Sequence, residues 1–332
     1  MFDFDVTITP KKTPGDENKV WDFIVIGGGP AGINASLYAK RKGLETLIIS
    51  KEMGGQLHNT TDVDNYLGYT RIEGKHLSKH FVDHLSSLEV PIYQDVVVES
   101  IIKENKVFAV SLSDETNLKA KTLLVATGGA PRKLNIPGEK EFTNKGVSYC
   151  TTCDAPFFKD KHVVVAGGGN SAAEAVLDLS YWAKKVTVIH RSQWRADKIL
   201  LDQIHQKDNV SIHLETQLLE VIGKNVMTQV RAFDKVNSKE FYLDADGLFI
   251  EIGTIPNNYL LKDLVELNEQ GEVLVDTNQM TSLEGLYAAG DLTMQPYKQI
   301  IISAAEGAKA ALAATHYIHK KKNKENHNGK TI

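Results

Sequence analysis

The chain has 332 residues, 42% of them hydrophobic and 24% charged, enough to bury a sizeable core and, by length, to form about two domains. With 38 Lys and Arg against 42 Asp and Glu the formal net charge is -4, so no general positive field attracts nucleic acid or an anionic membrane. The best candidate membrane segment, Ile300 to Ile318, is interrupted by Glu306 and Lys309 and lacks the roughly 18 uninterrupted apolar residues a span needs.

Residues 1 to about 20 and 319 to 332 are polar and turn-rich and are expected to fray. The start Met-Phe-Asp-Phe-Asp has neither the basic residues nor the apolar run of a secretory signal, which predicts a cytoplasmic, reducing location. The basic tail reads most simply as a solvated terminus.

The first structured segment, Asp22 to Gly32, is a β-branched run ending in Gly27-Gly-Gly-Pro-Ala-Gly32. A helical stretch, Ile33 to Lys42, and a second apolar run, Leu47 to Ser50, follow it. The same order recurs at His162 to Ala172, Ala173 to Lys184 and Val186 to His190. In both copies 23 positions separate the first motif glycine (Gly27, Gly167) from the end of the second strand (Ser50, His190). Each copy reads as strand, glycine turn, helix and strand, the βαβ unit of a doubly wound α/β fold.

In the first turn Gly27 makes the tight bend, Gly29 lets backbone approach a pyrophosphate, and Gly32 lets the helix close on the strand. The N–H groups opening that helix then hold phosphate. In the second copy Gly167 and Gly169 repeat the pattern with Ala172 in the third place, where a small residue suffices. After the first copy comes Glu52, a carboxylate suited to a ribose diol; after the second come His190, Arg191 and Arg195. Cations there accept a 2′-phosphate or are solvated surface charges. The first site therefore fits FAD and the second NADPH.

Cys150 and Cys153 are the only cysteines. Two thiolates cannot complete a structural zinc site and no His lies close by, so a redox dithiol at a helix N-terminus is the reading, with no metal. Asp154 next to it either moves a proton or caps a helix. Nicotinamide delivers hydride and a disulfide accepts two electrons with protons, so a flavin between them makes the three features mutually explanatory.

These blocks, with Gly54-Gly-Gln-Leu57, Asn65, Ala126-Thr-Gly128 and Ala288-Ala-Gly-Asp291 followed by Tyr297-Lys-Gln299, resemble the low-molecular-weight, bacterial-type thioredoxin reductases. The likeness includes the flavoprotein core of alkyl hydroperoxide reductases and covers about residues 20 to 318. It implies two Rossmann-like domains, one inserted in the other: an FAD domain at 1–131 and 258–332, and an NAD(P)H domain with the dithiol at 132–257. On the flavin side it implies Gly27, Gly29, Pro30, Ala31, Gly32, Ser50, Glu52, Gly55, Gln56, Leu57, Asn65, Val97, Ala126, Thr127, Gly128, Gly290, Asp291, Lys298, Gln299 and Ile300. On the nicotinamide side it implies Gly167, Gly169, Asn170, Ser171, Ala172, Glu174, His190, Arg191, Arg195, Ile252 and Gly253. It further implies catalysis by Cys150, Cys153 and Asp154, with Cys153 facing the flavin, a homodimer, and electron delivery to thioredoxin or a similar small dithiol protein.

The phosphate-binding stretch departs from the family pattern: Ser192 stands where a second arginine is usual and the segment is one residue shorter. NADH is thus a possible donor. Other readings are a peroxiredoxin- or glutaredoxin-like partner, towards which Tyr297 to Ile302 and Glu306 to Lys309 lean, and electrons from ferredoxin, which the intact second fingerprint opposes. A flavin-bound sensor without turnover is opposed by the intact dithiol.

Overall fold

The computed structural model describes residues 19–60 and 62–328. The chain divides into two compact units, one made of residues 1–130 and 255–332, the other of residues 131–254. It passes between them through two short strands, Gly129–Pro131 and Thr254–Pro256.

In the discontinuous unit the strand Val20–Gly28 lies between Thr46–Met53 and Asn117–Val125, parallel to both. Ile92–Gln94 and Leu286–Ala288 extend the parallel set, and an antiparallel hairpin, Val98–Glu104 and Val107–Leu112, completes the sheet. The run Phe23-Ile-Val-Ile26 is continuous because both faces are covered: Phe23 and Val25 join one core and Ile24 and Ile26 the other. All four are at most 3% exposed.

The continuous unit repeats this plan. His162–Ala166 lies between Lys185–Ile189 and Gly247–Ile250 in an all-parallel sheet whose edges are Val147–Ser148 and Val210–His213. Val163 and Val165 face one core, Val164 and Ala166 the other. An antiparallel meander, Thr216–Gly223, Met227–Asp234 and Lys239–Asp244, follows. In each unit the fingerprint strand sits where the strand order reverses, the place where an open α/β sheet forms its ligand crevice.

The C-terminal helix runs from Ile300 to Asn328, past residue 319 where fraying was expected. Lys320 to Lys322 are good helix formers, so the helix continues through them. The expectations for residues 1–18 and 329–332 lie outside the described residues. No helix among the described residues is long and apolar enough to cross a membrane.

This helix crosses the fingerprint helix Pro30–Arg41 closely: Asn34 Nδ2 donates to Ala304 O at 2.7 Å, and a Cβ on Gly307 would collide with the Ala31 carbonyl. Backbone that close has no room for a side chain. Gly307→Val should therefore destabilise the unit by about 1–3 kcal/mol, read as a lower urea midpoint at unchanged slope. A midpoint equal to that of the parent chain would contradict the packing described.

Candidate functional site

The first glycine turn connects Val20–Gly28 to the helix Pro30–Arg41. Gly27 has φ +118°, and a Cβ there would run into Ala126 O of the neighbouring strand, so only glycine fits. A Cβ on Gly32 would strike Gly27 O, which is what lets the helix close on the turn. Gly29 differs: its backbone is extended and a Cβ there would meet nothing within 4 Å. No side chain caps the helix and no acid occupies its first turn. The helix N-terminus thus faces open space with its N–H groups uncommitted to a cap, a cradle that suits a diphosphate.

Several of the other expected flavin-side residues are joined to this turn or to one another. The Ser50 hydroxyl accepts from Gly28 N–H (2.9 Å) and donates to Glu52 O (2.6 Å), while the Glu52 side chain stays exposed. Gln56 Nε2 donates to Gly129 O (2.8 Å) and to Asp291 Oδ2 (3.1 Å), and Asp291 Oδ1 accepts from Ser303 (3.2 Å). Burial holds the Asp291 carboxyl above its usual range, against those hydrogen bonds and Lys298. Asn65 Nδ2 donates to Gln299 Oε1 (3.1 Å), next to Ile300 at the start of the C-terminal helix.

Leu57 and Lys298 play supporting parts. Leu57 is buried with Val63 and Leu77, and the Lys298 ammonium is held by Glu272 (2.9 Å) and Thr293 O (2.7 Å). Val97 lies beside the strand Val98–Glu104, its backbone paired with Ser113.

The second fingerprint has the same construction. A Cβ on Gly167 would meet Glu251 O and the Ala172 methyl, so the third position must be small. Gly169 again faces open space, and no side chain caps the helix Asn170–Trp182, whose first turn carries no acid. Ser171 and Glu174 are exposed on that helix, and Ile252 and the exposed Gly253 follow the strand Gly247–Ile250.

The cationic stretch is pinned to this turn. Arg195 N–H donates to Gly168 O (2.7 Å), Asn170 exchanges hydrogen bonds with Asp197 (2.8 and 2.9 Å), and the buried His190 ring packs against Gly168. Arg191 and Arg195 belong to the loop before the helix Lys198–Ile204, both exposed. Lys235 adds a cation that sequence reading missed: its Nζ donates to Arg191 O at 2.8 Å.

Cys150 and Cys153 form a disulfide. Cys150 precedes the short helix Thr151–Asp154, and Cys153 N–H donates to Cys150 Sγ at 3.2 Å. Ser148 accepts from Cys150 N–H (3.1 Å) and donates to Asp154 Oδ2 (2.6 Å), so Asp154 braces the dithiol turn through Ser148 and its side chain caps no helix N–H.

Sequence reading also missed partners joined only by the fold. Glu306 is 5% exposed and accepts from Gly290 N–H (2.7 Å) and Gln295 (3.1 Å), fixing the Gly290-Asp291 bend. Thr127 and Asn257 hydrogen-bond each other twice (2.8 and 2.9 Å). Only a buried acid in a helix pattern hinted at the first, and nothing local at the second.

The family model of the pyridine nucleotide-disulphide oxidoreductases matches residues 21–311. The chain belongs to that family. A component of the alkyl hydroperoxide reductase of Staphylococcus aureus is 41% identical over 304 residues, 91% of this chain and 60% of the relative. The chain thus spans about 60% of the length of the curated relatives it matches. A thioredoxin reductase structure from Streptococcus pyogenes is 35% identical with TM-score 0.86, covering 91% of this chain and 99% of that one. One from Giardia duodenalis is 30% identical with TM-score 0.85 over the same shares. Within the pyridine nucleotide-disulphide oxidoreductases the chain is of the low-molecular-weight, thioredoxin reductase-like type.

His190 gives this site a pH signature. Burial, then Arg195 and Arg191, hold its imidazole below the usual range, so on acidification the unfolded chain takes up a proton that the folded chain refuses. Stability should fall as pH drops below about 6.5, the unperturbed imidazole value. His190→Gln is expected to flatten that part of the Tm-against-pH curve, and an unaltered curve would show the ring to be titrating freely.

Proposed function

We propose that this chain is an FAD-dependent disulfide reductase. It carries electrons from NADPH through the flavin to the Cys150–Cys153 disulfide and on to a small disulfide protein, a thioredoxin, as a cytoplasmic homodimer. The observation that carries the reading is a CxxC disulfide in the same unit as an open glycine cradle, in a chain holding a second such cradle. The discontinuous unit is the FAD domain and the continuous one the NADPH and dithiol domain.

The residues fit both nucleotides. Gly27 to Gly32 leave a space at a helix start, Glu52 offers an exposed carboxylate to a ribose diol, and Gln56 and Asp291 present a polar pair beside it. Gly167 to Ala172 repeat the cradle, with Arg191, Arg195 and Lys235 supplying positive charge for a 2′-phosphate. Bound flavin supplies the hand-over from a hydride donor to a disulfide. Cys150 and Cys153 hold the electrons as a dithiol, and Asp154 and Ser148 keep the turn in place.

A second reading has its own support: the higher identity to a component of an alkyl hydroperoxide reductase favours a peroxiredoxin-type partner. Turnover with NADPH against a panel of the host's small dithiol proteins separates the two. Loss of all turnover in the flavin-loaded protein would refute both.

Gly29→Val tests the first cradle without straining the backbone, because its φ of -80° suits any residue and the side chain enters empty space. The variant should keep its melting transition in the flavin-free form and lose at least about tenfold in FAD affinity, because valine occupies the diphosphate position. Undiminished FAD binding would move the flavin elsewhere.

Arg191→Ala and Arg195→Ala test the second. A charge-assisted bond to a 2′-phosphate is worth roughly 1.5–3 kcal/mol, so each should lower the NADPH-to-NADH ratio of kcat/KM about tenfold to a hundredfold with little change for NADH. An unchanged ratio in both would make them solvated charges and overturn their proposed contact with a 2′-phosphate.

A further inference from the structure

Glu251 has no part in the scheme above, yet it joins the second glycine turn to the dithiol. It follows the strand Gly247–Ile250; its N–H donates to Ala166 O (2.8 Å), and its carbonyl oxygen blocks any side chain on Gly167. Its side chain reaches the residue between the cysteine pair's first member and the rest of the helix. Glu251 Oε1 accepts from the Thr151 hydroxyl at 2.7 Å and from Thr151 N–H at 3.3 Å. Thr151 is 5% exposed, so this contact is largely sheltered from water.

The charged groups facing Glu251 from the fingerprint helix, Glu174 and Asp178, are both acidic. Asp154, at the far end of the dithiol helix, is engaged by Ser148. Burial, with smaller contributions from the two helix acids, holds the Glu251 carboxyl above its ordinary range, while the Thr151 bonds pull it down.

We propose that Glu251 is a positioning residue of the dithiol: it anchors the first turn through Thr151 and sets a carboxylate against the residue that follows Cys150. This rests on the reading that Cys150 and Cys153 are the working redox pair. Reduction breaks the S–S bond, takes in two electrons from the nicotinamide donor by way of the flavin, and takes up two protons to give two thiols.

A neighbouring carboxylate disfavours the thiolate and so raises the thiol pKa. The Cys153 N–H aimed at Cys150 Sγ acts the other way. Glu251 thereby keeps the reduced pair protonated until the pH rises, and restrains its attack on disulfides near neutrality.

The test uses the whole chain with its flavin, reduced by a phosphine, with iodoacetamide alkylation followed against pH by mass spectrometry. Since Cys150 and Cys153 are the only cysteines, the signal belongs to this pair. Glu251→Gln removes the charge and keeps an oxygen for Thr151 to donate to. It should move the alkylation midpoint down by about one pH unit, roughly tenfold more thiolate at a given pH, with its melting temperature retained.

Thr151→Val removes the hydroxyl that stabilises the ionised carboxylate, and should move the midpoint the same way by less. It also serves if Glu251→Gln fails to fold. Profiles that superimpose on the parent's, or move upward, would overturn the proposal and leave Glu251 a structural brace. The phosphine bypasses nicotinamide and flavin, so a chain that gave these profiles but no NADPH turnover would refute the reductase reading and not this one.

Discussion

Everything in this molecule depends on how closely a strand end and a helix start approach each other in two turns. At Gly27 the carbonyl of Ala126 occupies the place of a side chain, and at Gly167 the carbonyl of Glu251 does the same. Each carbonyl follows from the parallel strand adjacent to the fingerprint strand, so sheet pairing and turn shape determine one another. Two positions later, Gly29 and Gly169 open onto empty space. Crowding behind the turn and room in front of it turn a packing constraint into an open cradle at a helix start, the shape the proposed phosphate binding needs.

Around the first cradle the polar groups are interlocked. Glu306 fixes the Gly290-Asp291 bend, Gln56 and Ser303 satisfy Asp291, and Asn65 meets Gln299. Such satisfied networks hold side chains in one arrangement, and a half-satisfied one would cost more than an apolar core. Around the second cradle the loop from His190 to Asp197 is tied down by backbone and by Asn170, which fixes where the backbone of its arginines lies.

What could be read in the sequence was local or periodic. The duplicated turns, the helices behind them and the CxxC spacing each lie within a few turns of chain, so pattern reveals them. The remainder of the site is made of pairs far apart in sequence: Thr151 with Glu251, Thr127 with Asn257, Arg191 with Lys235. No spacing rule reaches such pairs, because they exist only once the strands have assembled. Ser192 illustrates the point: the sequence lacks the second arginine of the family pattern there, whereas the fold brings Lys235 to the backbone of Arg191. The basic tail differs for another reason: its polarity predicts fraying from residue 319, but its residues favour helix and the C-terminal helix carries on to Asn328.

In the proposed reductase, flavin and dithiol form one electron path in one chain. Anaerobic titration of the flavin-loaded protein with NADPH, with flavin absorbance and free thiols counted together, measures it directly. Two equivalents of NADPH per chain are expected, one for the flavin and one for the disulfide, with both cysteines free at the end point. Uptake of one equivalent, with the Cys150–Cys153 disulfide still intact, would contradict it.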